Sequence, residues 1–388
     1  MRLRVGTLNA WGLPEPLSVE PLRRLHAVGE RLPDLGLDVV AFQEVWFAGA
    51  RRVLAQAGKR AGLEHAWSPR ASIGGSGLLV LSRHPIEEAL LTPYLLRGLP
   101  ERVAHGDYYG GKGYVQLRLR TPMGAVTFVD THLHARYASE VAHAYLAHRS
   151  GQVVQLALAS RDVHDPLIVA GDFNFVRGSQ EHGVLRGLSG LRDLPHETGD
   201  PDATVLRSNP FRAGSRKPDR RVDYVFGRDG DGRKLTPVAS RRILDGAIDG
   251  GDLAYSNHAG VEVEVEITPA PRRAWRPWQP RRDAIERAQA LMLEGRRAAE
   301  RRRRGQRTVT GAGLGVASLV ALGDRRWLRA RAGRRRFLRL GLQVGAAAAL
   351  MPSVGCSLLS EVFVPDEIAA YDQLQRALAR ASRGAANA

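Results

Sequence analysis

The chain has 388 residues, 44% of them apolar, with 57 Lys and Arg against 40 Asp and Glu and a formal net charge of +17. This excludes a disordered chain and is large enough for a substantial core. The single cysteine, Cys356, excludes an intramolecular disulfide framework and a CxxC zinc site. A chain this basic invites a polyanionic partner, either nucleic acid or an anionic membrane. The charge is unevenly placed: residues 269–388 hold 24 Arg and 9 acids, a net +15, whereas residues 1–268 hold 33 basic and 31 acidic residues, a net +2. The basicity belongs to the tail.

The first residues run straight into a strand pattern without the apolar run of a signal peptide, which favours a catalytic part that stays in the cytoplasm. Strand-length apolar or β-branched runs occupy Leu3–Asn9, Val39–Gln43, Gly77–Leu81, Tyr114–Arg120, Ala125–His132, Leu167–Gly171, Val222–Gly227 and Val261–Ile267. Helical patterns fall at Leu17–Leu32, Ala48–Ala57 and Ser139–Ser160, the last with Ser139 as its expected N-cap. Several strands follow one another without an intervening helix, so the expectation is an α/β fold of mixed sheets with outer helices. Prolines at 269, 271, 277 and 280, interspersed with Arg and Trp, mark a linker over 269–280. The expected division is a catalytic domain over 1–268, that linker, and a helical tail over 281–388. The tail alternates the charged run Arg281–Arg304, the apolar stretch Thr308–Gly323, eight arginines within 324–339, the apolar stretch Leu340–Ser360 and an amphipathic helix from near Asp366.

Polar groups stand at the ends of many of these strands: Asn9, Glu44, His132 with His134, Asp172 with Asn174, Asp223, and Ser256-Asn257-His258 before the last. A single strand-end Asp or Asn is most often a turn former. Six such ends, each with a carboxylate, amide or imidazole, are harder to explain as turns. Oxygen donors without cysteine suit a hard Mg²⁺-type ion, and imidazoles suit proton transfer and oxyanion stabilisation.

Several runs resemble the endonuclease/exonuclease/phosphatase superfamily, and within it the neutral sphingomyelinases most closely. They include Thr7-Leu8-Asn9-Ala10-Trp11-Gly12-Leu13-Pro14, Gly75-Ser76-Gly77-Leu78, Ser82-Arg83-His84-Pro85-Ile86 and His105–Gly113. Thr131-His132-Leu133-His134, Ala147-His148-Arg149 and Gly171-Asp172-Phe173-Asn174 follow in the same order. Together they cover residues 1–268. The resemblance implies a four-layer sandwich of two mixed β-sheets flanked by helices, plus the C-terminal helical tail. It also implies a Mg²⁺-dependent phosphodiesterase of phospholipase C type, with Mn²⁺ as the alternative ion.

Carried over by position, Glu44, helped by Asn9, would hold the metal. Asp172 and Asn174 would position water and the phosphoryl group, His258 would be the general base oriented by Asp223, and His132 would stabilise the transition state. Lys112, His134 and Asn257 are expected at the substrate. Asn257 departs from the pattern, because the family reads Ser-Asp-His where this chain has Ser256-Asn257-His258; the change removes a negative charge beside the proposed base. His105, His143, His148 and His164 are expected to be structural or surface residues.

Neither apolar stretch of the tail is a clean spanning helix. Thr308–Gly323 has 16 residues, short of the ~20 required, and Leu340–Ser360 is diluted by Gln343 and Pro352. Spanning by both would also carry eight arginines outward from a cytoplasmic domain, against the positive-inside tendency. The expectation is a tail lying on an anionic membrane at its cytoplasmic face; the alternative is a soluble helical appendage packed on the domain. Phospholipid is the expected substrate, nucleic acid is disfavoured by the near-neutral catalytic part, and no protein partner is indicated. Two rival readings stand beside this one: a metal-dependent endonuclease of the same superfamily, and a catalytically impaired membrane- or nucleic-acid-binding protein.

Overall fold

The computed structural model describes residues 1–69, 76–137, 145–199, 203–271, 278–327 and 335–386. The first of two six-stranded sheets contains β1 (Arg2–Gly12), β2 (Val39–Val45), β3 (His65–Trp67), β4 (Leu79–Ser82), β11 (Arg233–Ile243) and β12 (Gly260–Pro269), in the order β11-β12-β1-β2-β4-β3. The second contains β5 (Ile86–Pro93), β6 (Gly113–Thr121), β7 (Gly124–His132), β8 (Leu167–Asp172), β9 (Arg192–Asp193) and β10 (Asp223–Arg228), in the order β5-β6-β7-β8-β10-β9. Each sheet has one parallel pair, β1–β2 or β7–β8, and is otherwise antiparallel. Both sheets are therefore mixed, as expected.

Period-two alternation builds the layers. Leu3, Val5, Val39, Ala41, Phe128, Ile168, Val225 and Val263 point between the sheets and form a continuous apolar core. On the outer face of the first sheet, Leu8, Val40 and Phe42 meet Leu25, Val28 and Leu54 of α1 (Pro21–Leu35) and α2 (Ala48–Arg60). Beyond the short α3 (Asp107–Gly110), α4 (Leu146–Arg161) and α5 (Gln180–Ser189) cover the second sheet, where Val154 and Leu185 pack with Phe173 and Tyr224. The result is the four-layer sandwich. The expected N-cap Ser139 lies outside the described residues.

After the short α6 (Leu194–Glu197), the remaining helices are α7 (Arg282–Trp327), α8 (Arg335–Leu358) and α9 (Val364–Ala386). The first part of α7 and much of α9 join the same core as α4 and α5, through Ile285, Met292, Tyr371 and Leu374. Gly295 lets the α7 backbone approach the ring of Tyr371, which a Cβ there would meet at 2.5 Å. The rest of α7 packs along α8, with Thr310 Oγ1 donating to Ser353 O at 3.2 Å. That paired region exposes apolar side chains, among them Leu314, Leu319, Val344, Met351 and Val354. The tail is thus a buried base that continues into an apolar-faced helical hairpin.

Candidate active site

The strand ends converge because the residues that precede them alternate. Thr7 and Asn9 continue the inward row of Leu3 and Val5; Asp130 and His132 continue that of Val126 and Phe128; Asp172 continues that of Ile168 and Ala170; and Asp223 begins the row of Val225. All therefore point into the cleft between the sheets. Register brings them together: His132 pairs with Asp172 across β7–β8, and Asp172 with Asp223 across β8–β10. Gly171 makes this approach possible, since at φ 145° a Cβ would lie 2.0 Å from Thr131 O.

Glu44 follows a different rule. Simple alternation would place it with Val40 and Phe42, toward α1 and α2. It adopts instead a left-handed conformation, φ 60°, next to a bulge where β1 advances from Asn9 to Gly12 while β2 advances from Gln43 to Val45. Its carboxylate consequently reaches Asn9. Trp11 and Asn174, with φ of 46° and 52°, are also left-handed, so unusual backbone clusters around the cleft.

Asn9 Nδ2 donates to Glu44 Oε1 and to Asp172 Oδ2, both at 3.0 Å, while its Oδ1 accepts from Trp11 N at 3.0 Å. In this arrangement Asn9 bridges two carboxylates, and its own oxygen is engaged. His132 Nε2 is 3.4 Å from Asp172 Oδ2 and 3.8 Å from Glu44 Oε1. Asn174 N donates to Asp172 Oδ1 at 2.9 Å and Asn174 Nδ2 to Leu133 O at 3.1 Å, a turn that presents Asp172 to the cleft. His258 Nδ1 lies 2.9 Å from Asp223 Oδ2. Ser256 Oγ donates to Asn9 O at 2.5 Å and ties the His258 loop to β1, and Asn257 Oδ1 lies 3.3 Å from that hydroxyl.

The electrostatics divide the groups by role. Burial alone would lower His258, but Asp223, Asp172 and Glu44 outweigh it and raise it to about 9. Burial would likewise raise Asp172; the hydrogen bond from His132 and the charge of His258 hold it well below the usual carboxylate range. Asp223 is pushed up by burial and by Asp172, against the pull of His258.

Lys112 and His134, expected at the substrate, are both buried. Lys112 Nζ is buried, 3.0 Å from Asp107 Oδ1 and 2.7 and 3.0 Å from the two ring nitrogens of His132. Burial opposes ionisation of Asp107, but Lys112, with smaller contributions from His134 and His132, carries its carboxyl far below the ordinary value. His134 is buried, stacked on Tyr145 at 4.0 Å with Nδ1 3.3 Å from Asp107, and burial depresses it to about 4. The two residues brace His132 and the loop of Asp107. Among the histidines expected to be structural, His105 stacks on Tyr137 and His148 faces Glu367 of α9 at 3.1 Å; His143 lies outside the described residues.

Arg24 is a supporting residue that the strand-end pattern does not reveal. It is fully buried on α1 and donates to the carbonyls of Val19, Ala10, Tyr255 and Trp11 at 2.7–3.0 Å, with its guanidinium 4.9 Å from the Trp11 ring. Burial lowers it to about 10. It clamps the end of β1 to the loop of His258. Its only trace in the sequence is an arginine among the apolar positions of a helix.

Whether a cation fits is decided by the donors. Glu44 presents a partly exposed carboxylate, Asp172 an ionised one, and among the described residues Asp223 Oδ1 is buried without a hydrogen-bond partner. Asp172, Asp223 and His258 have potential ligand atoms within 4.8 Å of one another. Oxygen-dominated donors without a thiolate fit a hard divalent cation.

The sequence pattern of the endonuclease/exonuclease/phosphatase family matches residues 6–258, the span that carries every strand-end residue above. The chain belongs to that family. Among its relatives, a putative neutral sphingomyelinase of Caenorhabditis elegans is 30% identical over 330 residues, 77% of this chain and 75% of the relative. An inositol phosphosphingolipids phospholipase C of Schizosaccharomyces pombe is 34% identical over 308 residues, 69% and 70% of the two chains. The family fold is also that of a Staphylococcus aureus beta toxin crystallised with bound magnesium ions, which is 16% identical with a TM-score of 0.54 over 68% of this chain and 99% of that one. Membership in this family of hydrolases, near its neutral sphingomyelinases, agrees with the resemblance carried by the strand ends.

Proposed function

We propose that the protein is a Mg²⁺-dependent phosphodiesterase of phospholipase C type that hydrolyses sphingomyelin or a related phospholipid to a lipid alcohol and a phosphorylated headgroup. The observation that carries this reading is the His258–Asp223 pair at 2.9 Å, standing across the cleft from His132 and beside Asp172. The relatives named for sphingomyelin and inositol phosphosphingolipids supply the substrate class.

Glu44, helped by Asn9, which links it to Asp172, would hold Mg²⁺, whose chemistry is to polarise a phosphoryl oxygen and offset the carboxylate charge. Asp172 and Asn174 orient the attacking water. Neutral His258 takes the water proton at Nε2, while Asp223 holds Nδ1–H and stabilises the imidazolium that forms. His132, braced by Lys112, donates to the oxygen that gains charge, and this preorganised donor supplies stabilisation without rearrangement. Asn257 lies one residue from the base and keeps the shape, though not the charge, of an aspartate.

The hairpin of α7 and α8 provides the membrane contact in this reading. One stretch, within Gln343–Arg383, is apolar enough by length and composition to cross a bilayer, and most of its apolar part is unburied. The Thr308–Gly323 arm is roughly 24 Å long as a helix, short of the ~30 Å hydrocarbon core. A hairpin lying in the anionic interface, on the cytoplasmic face, therefore fits better than two spanning helices.

Incubating the purified chain with Mg²⁺ and either sphingomyelin vesicles or plasmid DNA, beside a Glu44→Ala control, tests the proposal. Lipid hydrolysis lost in the control is the expected result. Nicking of DNA without lipid turnover would overturn it.

A further inference from the structure

Three arginines around the cleft have no role in the chemistry just described. Arg136 follows His132 by four residues, beyond Ala135, whose N–H is fixed by Asp107 Oδ2 at 3.0 Å. Arg220 lies three residues before Asp223; its backbone pairs with Val205, while Thr204 Oγ1 accepts from Val222 N and Asp223 N at 3.2 and 3.3 Å. Arg212 sits beside Phe211, whose ring packs 4.9 Å from that of Trp11, and Asn209 in the same turn donates to Ser256 O at 2.8 Å. The three side chains thus stand on segments held to those of His132, Asp223 and His258.

Among the described residues none of the three has a carboxylate within ion-pairing distance, whereas Arg149 is paired with Glu181 and Arg221 with Asp193. Arg212 has one long hydrogen bond, to Ser215 at 3.4 Å. Among the described residues Arg220 Nε is buried without a hydrogen-bond partner. A buried guanidinium N–H without an acceptor is costly unless a ligand supplies one. Arg220 is lowered first by its burial and then by the charges of Arg212 and Arg136, with Asp172 and Asp223 opposing, so all five groups share one electrostatic field at the cleft.

The aromatic rings nearby are poorly arranged for the alternative headgroup. A quaternary ammonium needs open ring faces. Trp11 already has the Arg24 guanidinium over its ring, Tyr137 has His105 stacked at 3.8 Å, and Tyr145 has His134 at 4.0 Å. The cleft thus presents unpaired cations where a choline would need aromatic faces.

We propose that Arg136, Arg212 and Arg220 form a headgroup subsite that favours phosphodiester lipids whose headgroup offers hydroxyl or anionic oxygens over those ending in a quaternary ammonium. The inference rests on the phosphodiesterase reading and names its substrate class. Guanidinium groups donate to polyol and phosphate oxygens and repel a fixed positive charge.

The test compares ceramide phosphoinositol with sphingomyelin in the same uncharged detergent micelles, which removes the attraction of the basic tail for anionic vesicles. With the full chain and Mg²⁺, kcat/KM is expected to favour the inositol lipid by about tenfold or more, and Arg220→Gln to narrow the ratio to about threefold or less. A preference for sphingomyelin, or an Arg220→Gln loss equal on both lipids, would overturn the subsite and leave the phosphodiesterase reading in place. Turnover of neither lipid would overturn both. Should Arg220→Gln fail to fold, product inhibition of the unaltered chain decides the matter: inositol 1-phosphate must inhibit more strongly than phosphocholine, and the reverse order would overturn the proposal.

Discussion

Asp223, the first residue of β10, faces His258 Nδ1 at 2.9 Å across a sequence separation of 35 residues. The partnership fixes which nitrogen of His258 faces the cleft. With no cation bound, Asp223, Asp172 and Glu44 together raise His258 to about 9. A folded value above the ordinary 6.5 gives stability that is complete below pH 6.5 and lost as pH rises through 9, up to roughly 3 kcal/mol. Urea unfolding of Mg²⁺-free protein is expected to weaken from pH 6.5 to 9, and His258→Gln to remove that slope. A flat profile in the unaltered chain would refute the assignment.

Removing the base should cost more than removing its partner. His258→Ala is expected to lower kcat by about 10³–10⁴-fold, and Asp223→Asn by about 10²-fold, with unchanged circular dichroism. Full activity of His258→Ala in a steady-state assay would exclude it as the base.

Asn257 is half-buried, with Oδ1 3.3 Å from Ser256 Oγ, a contact that an aspartate can also make. Asn257→Asp should therefore equal or exceed the parent in kcat/KM. A loss of about tenfold would mean that the amide is specifically required.

Acid should weaken the fold before its carboxylates protonate. His134 and His182 are both depressed to about 4, by burial in the first instance. A depressed folded value gives stability that is present above pH 6.5 and lost as pH falls toward 4. His134 alone accounts for about 2 kcal/mol between pH 7 and pH 5. Urea titrations at the two values should show this loss, and His134→Asn should reduce it. Equal stability at both would count against a neutral buried His134.

Arg24 holds four carbonyls that no other side chain in that position could satisfy. Arg24→Met should destabilise the chain by about 3–5 kcal/mol, because the carbonyls stay buried without a donor. Turnover should also fall, since the clamp aligns Trp11 and Tyr255. A change in denaturation midpoint equivalent to less than about 1 kcal/mol would show that water replaces the guanidinium.

The base of the tail should behave as core. Ending the chain after residue 281 uncovers the α4–α5 surface that Ile285, Met292, Tyr371 and Leu374 cover. Such a truncation should lower Tm by about 5 °C or more and promote aggregation. A soluble fragment with the full-length Tm would show that the helices only rest on the domain.

Much of the site is legible in one dimension because strands alternate with a period of two. An inward row such as Leu3, Val5, Thr7, Asn9 carries its last polar member to the cleft whatever the rest of the chain does, and the same holds for His132, Asp172 and Asp223. The uneven charge and the apolar stretches of the tail are equally direct. β5 and β11 escaped because they are edge strands with largely exposed side chains, β11 with a proline at its register shift, and so they lack the apolar runs that mark the inner strands.

Other features depend on contacts between residues far apart in the chain. Glu44 would face the helices were it not for its left-handed turn beside the bulge. Lys112 stands in a glycine-rich run that says nothing of Asp107 and His132, the groups that packing brings against it. Arg24 looks like one more charge on a helix until four carbonyls surround it, and the tail helices look separate until Tyr371 fits against Gly295. Alternation along a strand sets direction locally; which cation is neutralised, and which is left for a substrate, is settled only when packing removes water from some of them and not from others.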